Sequence, residues 1–304
     1  MESLDIGQNQ SIVDILPQLI SAIGDINSVD LIVLNAMSQS DRVVDDPEVK
    51  PIVAEALHIR KEYKVPFWEA ILLLARRENG AALDLVLDAA IHHQPMSDAA
   101  DKIRVAAGEL SAERLREIAG EAGESRIITL SSKVALNDSE TPGHLQMLDF
   151  RIRPSEDNER LAAGIMKRVG AEGILLNSGN SYHFYGYTLM GSEAELSAFL
   201  GRVSLFAPFI DQRWVAHQMI EGACALRISK GKSFADPPIF VRHVGADLTQ
   251  PSKLPKIVSK LNSLRCCRCH TSSVILLYST LIRLPMTTMA TTTPPASCRA
   301  EAAL

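Results

Sequence analysis

No stretch of about eighteen apolar residues occurs in this chain, which argues against a membrane-spanning helix. A basic or apolar leader is lacking as well. The chain opens on the acidic, polar Met1-Glu2-Ser3-Leu4-Asp5, so a cytoplasmic protein with no membrane partner is expected. Positive charge is short: Lys and Arg number 31 against 36 Asp and Glu, a net −5. That balance argues against a general nucleic-acid coat, though it leaves room for a local basic groove. Cysteine is scarce before residue 245, where Cys224 stands alone. The others gather beyond it, and Cys266-Cys267-Arg268-Cys269-His270 is too crowded for the usual two-residue zinc spacer. Ser229-Lys230-Gly231-Lys232-Ser233 ends like a phosphate-binding loop. Leu226 stands where that motif needs its first glycine, so the match fails.

What is present suits a globular protein. With 304 residues, 46% of them hydrophobic and 22% charged, the chain can bury a substantial core and could hold two domains. Residues 10–122 read as a block of helices. Ile12, Val13, Leu16, Leu19, Ile20 and Ile23 keep helical spacing, with Pro17 inside the stripe. Asp46-Pro47 opens a second helix, Val65-Pro66-Phe67-Trp68 a third running to Arg77, and Leu83 to Ala90 continue towards His92-His93. Segments Ser97–Gly108 and Ser111–Ala119 read as two more helices. Phe67 and Trp68 are taken as core anchors, and His92-His93 as a helix-end feature rather than a metal site. At the other end, residues 245–304 carry seven basic residues against two acids, and Met286–Ser297 is a Thr/Pro tract without an apolar period. That tail reads as a disordered or foreign appendage.

Between these lies the informative part. Met147-Leu148-Asp149-Phe150-Arg151 is a β-prone segment with an acid in its middle, an unusual place for a carboxylate unless the strand end opens into a site. Ser155 to Gly170 holds every start and stop signal of a helix: a serine cap, acids in the first turn, Lys167-Arg168 in the last turn and a terminal glycine. Then Asn177-Ser178-Gly179-Asn180-Ser181 forms a turn between two β-prone runs, and Tyr182-His183-Phe184-Tyr185 opens the second. Gly179 lets backbone approach a ligand, and His183 is expected to point into the mouth of the hairpin, an arrangement suited to phosphate. Residues 145–190 thus read strand, helix, strand, turn, strand. A second acid follows an apolar pair at Phe209-Ile210-Asp211, and Leu226-Arg227-Ile228-Ser229-Lys230 reads as a short basic strand.

This order of motifs resembles archaeo-eukaryotic-type primases, and more narrowly the bacterial primase 1D-like proteins, over roughly residues 125–242. Asp149 matches the first acid motif, Ser181-Tyr182-His183 the Ser-x-His turn and Ile210-Asp211 the last acid motif. The resemblance implies a primase-like mixed sheet core with flanking helices over 123–244; with the helical domain over residues 1–122 and the tail from 245, an α+β chain is expected. The resemblance also implies Mg or Mn held by Asp149 and Asp211, catalysis by these two acids with His183, and a nucleoside triphosphate held by Ser181 and His183. Arg227 and Lys230 would neutralise phosphate, with Ser178, Gly179 and Arg151 beside them. The reaction would be template-directed joining of nucleotides in DNA replication or repair.

One departure bears on activity. The first motif of the family carries two acids on one strand face, and here the second position is Arg151. Two carboxylates can hold one hard cation but are short of ligands for two. Arg151 could grip phosphate itself or neutralise Asp149. Three classes therefore stand: a primase-type nucleotidyltransferase with impaired catalysis, a non-catalytic module binding nucleotide or single-stranded nucleic acid, its helical domain docking a partner protein, or a purely structural interaction protein whose pocket is vestigial.

Overall fold

The computed structural model describes residues 6–35, 46–63, 65–77, 80–91, 101–123, 125–231 and 234–245. The expectations for His92-His93, for the cysteine cluster and for the tail from 246 onward lie outside them. Helix α1 (Ile12–Ile23) leads into strand β1 (Ile26–Asn35). Helices α2 (Lys50–Tyr63), α3 (Phe67–Ala75) and α4 (Ala81–Ile91) follow, then strand β2 (Asp101–Ala106). A short 3₁₀ turn leads to α5 (Ala112–Ala122) and the long strand β3 (Arg126–Leu136). The remaining elements are β4 (Gly143–Asp149), α6 (Glu156–Val169), β5 (Gly173–Asn177), β6 (Tyr182–Met190), α7 (Glu193–Ser204), α8 (Gln212–Glu221), β7 (Ala225–Arg227) and β8 (Ile239–Val244).

The strands form one antiparallel sheet in the order β2-β1-β3-β4-β6-β5-β8, with β7 added on β3. The chain is α+β, and its sheet is antiparallel throughout rather than mixed. Residues 145–190 take the expected succession of elements. Ser155 caps α6 by accepting a hydrogen bond from the Asn158 amide at 3.2 Å, and Gly170 ends it at φ +75°. Two parts of the amino-terminal reading need correction. Asp101–Ala106 is a strand, not the start of a helix over Ser97–Gly108, because it pairs along β1 from Ser28↔Ala106 to Val33↔Asp101. Ile26–Asn35 is also a strand, paired with β3 as well. The helical block is therefore interrupted by two strands of the main sheet.

Burial separates two hydrophobic clusters. The larger joins α1 and α5–α8 to the sheet, with Leu31, Leu130, Met147, Leu175 and Phe184 fully covered. The smaller lies within α2–α4 around Val53, Phe67, Ile71 and Val86. Helices α2–α4 are thus a small module with a core of its own, emerging between β1 and β2. Pro17 sits inside α1 without ending it. No described helix is long and apolar enough to cross a membrane.

Candidate functional site

Strand pairing brings the motif residues together. Asp149 is the last residue of β4 and lies opposite His183, the second residue of β6. Beyond β4 the chain runs beside residues 209–211: the Arg151 amide donates to the Phe209 carbonyl at 2.8 Å, and Phe150 bridges Ile210. The Asp211 amide meets the Asp149 carbonyl at 3.4 Å, so the second acid follows the first across this seam. Asp211 also caps α8, its Oδ1 accepting the Trp214 amide at 3.0 Å.

The β5–β6 turn closes the other side. The Ser178 amide donates to the Ser181 carbonyl at 2.9 Å, and the Gly179 amide to Asn177 Oδ1 at 2.8 Å. Gly179 sits at φ +100°, a conformation only glycine takes without strain. The Ser178 and Ser181 hydroxyls lie 3.0 Å apart, and Ser181 Oγ donates to Asp149 Oδ1 at 3.2 Å. The amides of Ser178 and Gly179 are thus used within the turn, and the Ser181 hydroxyl reaches the acid.

Behind the acid the environment is buried and polar. His183, its side chain 7% exposed, places Nε2 3.8 Å from Asp149 Oδ1. Burial, then the charge of Arg227, lowers its pKa to about 3, so the imidazole stays neutral. Asp149 is pushed up to about 8, by burial first and by the Asp211 charge second, while Ser181 and Arg227 pull the other way. Arg227, lowered to about 10 by burial, spends its guanidinium on backbone carbonyls. It donates to Ser178 at 2.6 Å, to Asp236 at 3.0 Å and to Ser229, beneath the Phe234 ring 4.0 Å away. Among the described residues, His183 Nδ1 and the Tyr185 hydroxyl are buried without a hydrogen-bond partner.

In front of the acid opens a cleft of about 520 Å³. Asp149, Arg151, Ser181 and Asp211 line one wall, and residues 65–69 of the helical module line another. Arg151 does not neutralise Asp149; its Nη1 pairs with Glu69 Oε1 at 3.0 Å. Arg213 stacks 4.1 Å from the Trp68 ring and donates to the Ala90 carbonyl, tying α8 to the module. The structure therefore gathers Asp149, Ser181, Asp211 and Arg151 at the cleft. His183 shares the sheet face of Asp149 and Ser181, as its pairing requires, but it is buried there and does not line the cleft. Arg227 clamps the turn from within. Lys230 is exposed and lines a separate cavity of about 670 Å³, with Phe234 and the end of α5. Sequence reasoning did not foresee Glu69, Trp68 or Arg153 at the site. Nothing local pointed to a partner for Arg151 that lies 82 residues away.

The donor set can be weighed against a divalent cation. Among the described residues no three His, Cys, Asp or Glu side chains converge as metal ligands. Asp149 and Asp211 are close enough for one charge to raise the other's pKa, a repulsion that a single cation relieves. These residues fit one oxygen-seeking ion completed by water or phosphate, and they do not fit two.

A model of the archaeo-eukaryotic primase 1D-like family matches residues 106–236 of the chain. No curated protein matches it, and neither does any solved structure.

Proposed function

We infer the function from membership: residues 106–236 belong to the archaeo-eukaryotic primase 1D-like family, a primase-type nucleotidyltransferase fold, and the cleft is read as its nucleotide site. The ligand is a nucleoside triphosphate accompanied by one Mg or Mn ion at Asp149 and Asp211. When bound, that ion neutralises phosphate charge. Ser181 orients the Asp149 carboxyl through its hydroxyl, and neutral His183 supports the same carboxyl from behind. Arg227 holds the Ser178–Ser181 turn in register with β4 instead of reaching the ligand. Arg151 takes phosphate from the rim, at a position where the family carries an acid. With ligands for one cation only, nucleotidyl transfer is impaired and binding is the dominant property.

The observation that carries this reading is the meeting of Asp149, Ser181 and Asp211, distant in sequence, on one wall of one cleft. Titrating the full chain with labelled nucleoside triphosphate, with and without Mn²⁺, tests it. Binding should depend on the metal and weaken on the order of tenfold or more in Asp149→Ala and in Asp211→Ala. Absence of binding would sink the reading. The Arg151–Glu69 pair in place of a second acid favours one other reading, a metal-independent nucleotide or nucleic-acid binding module, and binding indifferent to Mn²⁺ would select it.

A further inference from the structure

We propose that Glu69 holds down the affinity of the cleft for anions, by occupying on Arg151 the place that a ligand phosphate takes. This rests on the nucleotide reading above and adds to it a residue of the helical module. Glu69 stands in the first turn of α3, where the helix dipole favours a carboxylate. Its 3.0 Å contact with Arg151 joins the module to the sheet wall. Glu69, Arg151, Asp149 and Asp211 all line the same cleft, so this ion pair lies inside the space of the ligand rather than on an outer surface. The two side chains are 59% and 33% exposed, and an ion pair so well hydrated breaks readily.

The surroundings favour the exchange. Arg60 from α2 and Arg153 beyond β4 also line the cleft, and among the described residues neither forms an ion pair. An incoming anion is therefore drawn to this rim, yet reaching Arg151 means releasing a carboxylate. A phosphodiester returns one negative charge for the one removed, which is close to an even trade. A terminal phosphate, carrying about −1.5 to −2 at neutral pH, returns more than it displaces. Because every phosphate that takes Arg151 must release the same carboxylate, Glu69 lowers the affinity of each by a common factor. Held by Arg151 it is an internal stand-in for phosphate; released, it frees the module from one of its ties to the sheet.

Equilibrium binding of ATP and of a short oligodeoxythymidylate without terminal phosphate tests this in the full-length wild type, Glu69→Gln, Arg151→Ala and the double variant. Glu69→Gln should tighten oligonucleotide binding by about threefold at low salt, the range of an exposed ion pair, and ATP binding by a similar factor. The tightening should fade in high salt. In the Arg151→Ala background the Glu69 substitution should change nothing, since the two residues act as one unit. Glu69→Asp, too short to keep the contact, should behave as Glu69→Gln and guards against a folding defect. Unchanged affinity for both ATP and the oligonucleotide in both Glu69 variants would overturn the proposal, and ATP binding that persists would leave the nucleotide site standing. An effect that remains without Arg151 would overturn the proposal too. A wild type that binds neither ligand would remove the nucleotide reading itself, and this inference with it.

Discussion

Asp149 and His183 are both held in their uncharged forms, and the pH dependence of stability follows from that pair. Unfolded, the aspartate titrates near 3.8; folded, it keeps its proton to about 8. Over that interval the folded state binds the extra proton, so this group makes stability fall as pH rises. His183 acts in the opposite sense. Its pKa is about 3 folded against 6.5 unfolded, so stability rises with pH until 6.5. The two oppose one another below 6.5, and from there to about 8 the aspartate is the one still titrating. The melting temperature should decline across that upper window, and Asp149→Asn should flatten the decline. An equally steep decline in the variant would assign it to other groups. At this scale the sequence was partly legible. The pattern picked out Asp149, Ser181 and Asp211 because acids and small hydroxyls are conspicuous in β-prone runs. It did not show that His183 and Arg227 are buried, since how far a strand residue is covered is set by pairing and packing partners that no local pattern names.

At the scale of elements, the β5–β6 hairpin is the frame that carries the Ser178–Ser181 turn, and it tolerates no slack. A Cβ at Gly173 would lie 2.1 Å from the Tyr185 carbonyl oxygen and 2.7 Å from Gly186 Cα, both backbone atoms that cannot step aside. Gly173→Ala should cost about 3 kcal/mol in urea unfolding by forcing the strands apart. Gly120 offers the contrast: it lies in α5 with nothing within 4 Å of an added Cβ. Gly120→Ala should be neutral or stabilising by up to about 1 kcal/mol, because alanine restricts the unfolded chain more and favours the helix. Equal losses in both variants would contradict the close approach at Gly173. Helix α6 was fully legible because its signals, Ser155 and Gly170 among them, are local. Strand β1 was not. Leu31, Ile32 and Val33 are all buried, so no alternation marks the strand, and such a run reads as readily as helix. Strand β2 hides for another reason: its Lys102 and Arg104 pair with Asp30 across an edge, and charged edges resemble helical surfaces.

Across the whole molecule, the two hydrophobic clusters predict two levels of protection. Amides of α2–α4, resting on the smaller core, should exchange with solvent sooner than those of β1, β3, β4 and β6. Phe67→Ala, which removes a ring 1% exposed at the heart of the smaller cluster, should widen the gap and leave the sheet amides unchanged. Uniform loss of protection would mean that the module and the sheet open together. Reading residues 10–122 as helical anticipated this module but not its roots, because the antiparallel pairing of Ser28 with Ala106 and of Val33 with Asp101 spans a separation that no sequence window covers.

Those roots give the fold an unusual kind of modularity. Where β1 leaves the sheet and β2 rejoins it, the two ends of the outgrowth stand side by side, like the shank of an interchangeable tool head. Substituting a tight hairpin there would leave every rung of the ladder beneath it in place. The family match begins at residue 106, on the last rung of that ladder. The matched stretch holds the sheet wall of the cleft, and the far wall comes from the outgrowth, which precedes it in the chain.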